Sequence, residues 1–155
     1  MADPRVEKLA KVLVRYSLDI QPGEELAVKT NPLADELNLA VYREALLAGA
    51  HVTFLNMVEG TLDLFFQLAS DAQLDYISPV QRVVHETYGA ILDIEALANA
   101  RELSNADPVR MGRARKARAP VFKRMIDRTA SGELKWCGTV FPTPANAQEA
   151  EMSLR

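Results

Sequence analysis

The stretch from Glu24 to Met57 constrains this chain most, because two short apolar runs, EELAVKT and HVTFLNM, bracket a single helical pattern. Asn31-Pro32 opens that pattern with a cap whose side-chain oxygen takes a backbone N–H and a proline that needs no donor. Leu37, Ala40, Val41, Glu44, Ala45 and Ala48 then trace a mostly apolar stripe, which closes at Gly49, a residue suited to a left-handed C-cap. Strand, helix and strand in so short a span make a βαβ unit. Its strands run parallel and its crossover is right-handed.

The same grammar continues on both sides. Asp3-Pro4 opens a first helix, with Val6, Leu9, Ala10, Leu13 and Val14 on one face and Glu7 paired with Lys11 on the surface. After Gly60 come two short helices, TLDLFFQLA and DAQLDYI, the second with a capping box of Ser70 and Gln73. Ser78-Pro79-Val80-Gln81 predicts another capping box, opening a helix that runs to Gly89, and GAILDIEAL is a third strand. Asp107-Pro108 opens a long helix ending near Ser131-Gly132, which Pro120 is expected to kink or split because its ring clashes with the preceding turn. ELKWCGTVF is a fourth strand, and Thr143-Pro144 opens the helix PANAQEAEM. The reading is an α/β fold, a mainly parallel sheet of about four strands flanked by helices. At 155 residues the chain suits one domain, which buries about 70% of its unfolded surface.

Composition narrows the class. With 48% hydrophobic and 25% charged residues the chain reads as an ordinary globular protein. A net charge of -3 gives no reason to expect nucleic acid or an anionic membrane as a partner. Cys137 is the single cysteine, so no intramolecular disulfide or four-cysteine zinc site can form, and a reducing cytoplasm is the expected setting. No stretch approaches the roughly 20 apolar residues that span a bilayer, and the opening MADPRVEKLAKVLVRYS lacks a signal peptide's unbroken apolar run.

Chemistry-bearing motifs are scarce. The glycines at 23, 49, 60, 89, 112, 132 and 138 spell neither a dinucleotide fingerprint nor a P-loop. His85-Glu86 begins like a zinc-protease helix, but Gly89 stands where the second histidine is needed, so His85 is read as a surface or rim residue. His51, at the start of a strand, is read as a loop-edge hydrogen-bonding residue. Cys137 lies between Trp136 and Gly138 and is read as a buried structural thiol. The long helix carries Arg110, Arg113, Arg115, Lys116, Arg118, Lys123, Arg124 and Arg128 against only Asp127. With Phe122 its only aromatic residue, that face is expected to be solvated, or paired with acidic groups on another domain or subunit, rather than to bind nucleic acid. No residue is assigned a catalytic, cofactor-binding or metal-ligating role.

Three stretches carry a family resemblance: DPRVEKLAKVLVRYSLDIQPGEEL, YREALLAGAHV and, most specific, GELKWCGTVFPTPANAQEAEMSL. From Asp3 to Leu154 the chain resembles the N-terminal part of the metallo-aminopeptidases of the aminopeptidase T/aminopeptidase S/PepS type. The resemblance implies a longer two-domain cytoplasmic enzyme, a homodimer that releases N-terminal amino acids from peptide substrates with two divalent metal ions (zinc, cobalt or magnesium). It also implies that the metal ligands lie in a later domain, so that this chain holds no cofactor and is inactive alone. In two places the chain departs from the pattern: Glu151 stands where the family usually has glycine, and Arg155 where an acidic residue is common. Residues 1–155 are accordingly expected to be a single N-terminal domain, a fragment without the metal-binding catalytic domain. The alternative is a free-standing α/β interaction or regulatory domain with a basic helix for an anionic partner.

Overall fold

The computed structural model describes residues 3–154. Helix α1 (Pro4–Val12) starts at Asp3, whose carboxylate accepts the N–H of Arg5 at 2.8 Å. It runs on into a wider π turn over Leu13–Ser17, closed by the Leu18 N–H on the Leu13 carbonyl, and Leu13, Val14 and Leu18 of this segment are buried. After strand β1 (Glu25–Thr30), Asn31 caps a 3-10 turn over Pro32–Ala34 that leads into α2 (Asp35–Leu47). Gly49, with φ +84°, turns the chain into β2 (His51–Asn56). Then come α3 (Thr61–Leu68), α4 (Asp71–Leu74) behind the reciprocal Ser70–Gln73 capping box, and α5 (Pro79–Thr87). Strand β3 (Ala90–Glu95), α6 (Pro108–Ala130), β4 (Lys135–Val140) and α7 (Pro144–Glu149) complete the order.

The strands form one sheet in the order β2-β1-β3-β4, and every adjacent pair is parallel. Such a sheet needs cover on both faces. On one face Leu26, Val28, Leu92 and Ile94 pack with Leu13 and Val14 and with Leu37, Val41 and Ala45 of α2. On the other, Ala27 and Ile91 meet Val84 of α5, Met125 of α6 and Leu134. A satellite cluster of Phe66, Leu74 and Ala114 holds α3 and α4 to α6. Each such Leu or Phe contributes about 1.5–3 kcal/mol by leaving water.

Local readings needed correction in five places. Glu7 pairs with Arg43 of α2 at 3.8 Å rather than with Lys11, because α1 packs against α2 and brings the longer partner over it. Ser78 makes no side-chain cap bond, so the second capping box does not form, although Pro79 does open α5. Helix α6 is not split at Pro120. Ala114 anchors one half and Met125 the other, and the carbonyl that loses its partner belongs to exposed Lys116, where water can serve it. Cys137 sits on the outer strand, where β4 residues alternate between half-buried and exposed, so its thiol is half-buried rather than enclosed. Helix α7 stops at Glu149, and Glu151, with φ 53°, takes the left-handed position. Its N–H reaches the Gln148 carbonyl and that of Met152 the Ala147 carbonyl, the paired bonds of a Schellman motif in which glycine is usual.

Gly49 and Gly23 both have φ +84°, but only at Gly49 would a Cβ meet another residue, Pro22 Cα at 3.1 Å. Gly23→Ala should therefore lose about 1–2 kcal/mol from backbone strain alone, and Gly49→Ala measurably more. Urea unfolding of the two variants side by side checks this, and equal losses would show that Pro22 yields without cost.

Candidate functional site

The connection from β1 turns toward β2 on one side, while β3 pairs on the other side of β1 and its own connection leads outward to β4. In open parallel sheets this divergence leaves a crevice beyond the carboxyl ends of the strands. A cleft of about 660 Å³ lies there, bounded by Lys29, Thr30 and Asn31 leaving β1, Ile94 to Leu97 leaving β3, Leu55 of β2 and Met57 just after it. Gly60 and Thr61 at the start of α3, and Ser78 and Gln81 at the start of α5, close its rim. Its size falls within the usual range for a small-molecule pocket, about 300–1,000 Å³.

Asn31 holds the crevice in shape. Its Oδ1 accepts the Leu33 N–H at 3.0 Å, while its Nδ2 donates to the Ala96 carbonyl at 2.6 Å and to Glu59 Oε1 at 3.1 Å. One side chain thus caps a turn and ties the exits of β1, β3 and the β2–α3 loop together. Behind it, buried Thr30 donates to buried Asn38 at 2.8 Å, and Asn38 donates back to the Asn31 carbonyl at 3.2 Å. The sequence identified Asn31 as a cap, but not this second role, which depends on strand order.

A polar row crosses the sheet beside the cleft. Lys29 and Asp93 are register partners on β1 and β3, with Nζ 3.5 Å from Oδ1. Asp93 Oδ2 accepts the Trp136 Nε1–H at 2.7 Å, and Lys29 Nζ lies 3.3 Å from His85 Nε2. His85 Nδ1 meets the Gln81 carbonyl at 2.6 Å; a carbonyl only accepts, so Nδ1 carries the proton and Nε2 takes one from Lys29. His85 is 9% exposed, a correction to its reading as a surface or rim residue: Val84 and His85 turn inward together beside Arg128. Burial pushes its pKa below the ordinary 6.5, and Lys29 lowers it further, against opposing contributions from the Gln81 carbonyl and Asp93.

Around this row the cleft is apolar and acidic. Leu55, Met57, Val58, Leu62 and Val80 supply its walls, and among the described residues Glu59, Glu95 and Glu102 join Asp93 against the single cation Lys29. Glu102 Oε1 is shut off from solvent without a hydrogen-bond partner among the described residues. Thr143, 5% exposed, pins the C-terminal segment beside the cleft, donating to the Leu97 carbonyl at 2.6 Å while capping α7 with Asn146. Arg101 and Glu149, 3.2 Å apart, fasten α7 to the loop that carries Glu102.

The other candidates stand apart. His51 is exposed opposite Glu25, at the end of β1 remote from Lys29, and cannot join His85. Among the described residues no group of three or more His, Cys, Asp or Glu side chains could hold a metal ion, so these residues do not fit a metal pair. Nor is any described helix long and apolar enough to cross a membrane. Much of the basic helix finds acidic partners among the described residues: Arg113 binds Asp71 and Asp75, Lys123 binds Asp127, and Arg124 and Arg128 reach Glu133. The Arg113 hydrogen bonds hold the Asp75 carboxyl below its usual value.

The depressed pKa of His85 has a sign that can be tested. Because the folded protein resists the proton, His85 adds no penalty above pH 6.5, and stability falls as pH drops below that value toward the folded pKa. Urea unfolding between about pH 5 and pH 8 should show this loss in the wild type and a flatter profile in His85→Gln. Parallel profiles would mean that the imidazole is protonated with equal ease in both states.

The sequence matches no curated protein. In structure the chain is similar to wild-type AmpT from Thermus thermophilus, with a TM-score of 0.73 and 22% identity over 90% of this chain and 36% of that one. Likeness at this identity establishes the shared fold, and the chain spans little more than a third of that protein's length. CurK enoyl reductase also aligns over 94% of this chain and 44% of that one, at 15% identity, but its TM-score of 0.39 carries no weight. The family described as thermophilic metalloprotease (M29) matches residues 2–155, and the chain belongs to that family.

Proposed function

We propose that this chain is the N-terminal α/β domain of a longer two-metal aminopeptidase, and that the cleft beyond β1 and β3 forms part of the wall along which the peptide lies. The observation that carries this reading is the family match across residues 2–155. The cleft supports it: apolar walls suit a substrate side chain, and Glu59, Glu95 and Glu102 favour a positively charged N-terminus. Two divalent ions, when bound, polarise the scissile carbonyl and lower the pKa of an attacking water. With the histidines of this chain far apart, we assign the ligands of those ions to sequence outside it, the ions being zinc, cobalt or magnesium. A cytoplasmic homodimer acting on peptides completes the proposal.

Purified 155-residue protein should therefore release no amino acid from leucyl anilide in a chelator-sensitive way. A longer protein in which the catalytic part follows this one should do so with divalent metal. In that protein Glu102→Gln should raise KM several-fold with kcat little changed, the signature of lost ground-state binding. Chelator-sensitive turnover by the short chain would place the metal ligands within it and sink the domain assignment. Inertness of the longer protein with every metal tried would sink the activity.

A further inference from the structure

We propose that the groove between α3 and α6 docks an acidic amphipathic helix of a protein partner. Most cations of α6 are satisfied within the domain. Arg110 donates to the Phe66 and Ala69 carbonyls, and Arg113, Lys123, Arg124 and Arg128 have the carboxylates named above. Among the described residues Arg115, Lys116 and Arg118 have no carboxylate partner. Arg115 and Arg118 border the same groove of about 560 Å³, whose remaining lining is apolar, with Leu62 and Phe66 on one wall and Phe122 on the other. The Arg118 guanidinium lies 5.6 Å from the Phe65 ring centroid, and its Nε is buried without a hydrogen-bond partner. The trough thus carries positive charge only, next to apolar surface that water covers at a cost.

Spacing selects the occupant. Arg115, Arg118, Ala119 and Phe122 follow i, i+3, i+4, i+7 along one stripe of α6, which Ile126 continues; Phe122 is 59% and Ile126 48% exposed. Leu62 and Phe66 repeat at i, i+4 on α3. Two helical ridges with an apolar trough between them are shaped to receive a third helix. An extended peptide would need a strand edge for its backbone groups, and the groove offers none, whereas a helix satisfies its own. Carboxylates flanking the apolar face of such a helix would meet Arg115 and Arg118 in charge-assisted hydrogen bonds.

The probe is a fluorescein-labelled synthetic peptide of about 18 residues, helical, with leucine on one face and glutamate flanking it. Its binding to the full chain is read by fluorescence anisotropy against the same peptide carrying lysine in place of glutamate. The glutamate peptide should bind and the lysine peptide should not. Arg115→Glu and, independently, Phe122→Asp should each weaken binding about tenfold or more, while Lys116→Glu, the same charge change outside the groove, should leave it within about twofold. Both groove positions are exposed, and circular dichroism melting verifies that the variants fold. The proposal is overturned if the glutamate peptide does not bind, if the lysine peptide binds as well, or if Lys116→Glu weakens binding as much as Arg115→Glu. Displacement of the glutamate peptide by oleate or by anionic vesicles at lower concentration than by unlabelled peptide would overturn it in favour of a lipid.

Discussion

The parallel pairing of β1 with both β2 and β3 is the constraint on which the rest of the molecule depends. Parallel neighbours cannot be joined by a hairpin, so every connection has to cross a face of the sheet, and each crossover brings a helix with it. Leu26, Ala27 and Val28 are each fully buried, alternating between the core under α1 and α2 and the core under α5 and α6. This is why the strand reads as an unbroken apolar run and not as an alternation. The same pairing positions the cleft. The apolar run of β1 ends at Val28, and Lys29, Thr30 and Asn31 bring polar side chains to the edge of the cleft.

Local chemistry was legible and long-range order was not. Asp3-Pro4, Ser70 with Gln73, and Thr143-Pro144 all cap what they were read to cap, because a cap is decided by residues two or three positions away. Asn31-Pro32 instead caps the 3-10 turn before α2, whose own N-cap, Ala34, makes no side-chain bond. The four strands and their parallel arrangement followed from short apolar runs between helices. Strand order could not follow, since no local pattern states that β3 pairs with β1 rather than β2. The cleft, the Lys29–Asp93 pair and the clasp of Asn31 on Ala96 were invisible for that reason. The burial of His85 was out of reach for the same reason, because it depends on how α5 lies across the sheet beside α6.

Charge counting met the same limit on α6. The sequence shows a run of cations, and only the fold shows that α4 brings Asp71 and Asp75 to Arg113, or that the turn into β4 brings Glu133 to Arg124 and Arg128. The exposed pairs of Arg113 and Arg124 add little stability one by one, whereas Arg128 is buried and also donates to the His85 carbonyl. Their consequence is selectivity: what remains unpaired is a small, specific part of the helix instead of a uniformly basic face. A nucleic-acid surface would need the opposite, a continuous stripe free to neutralise successive phosphates.

The buried histidine links the core to the character of the cleft. Among the described residues Lys29 is the only cation bordering the cleft, and Asp93 offsets its charge at 3.5 Å. A charged His85, 3.3 Å behind Lys29, would add a second positive charge to that wall and weaken the field of Glu59, Glu95 and Glu102. Burial against the sheet disfavours the charged imidazole, and its bond to the Gln81 carbonyl turns the bare Nε2 toward the ammonium. The packing that stabilises α5 therefore also limits the positive charge on the wall of the cleft.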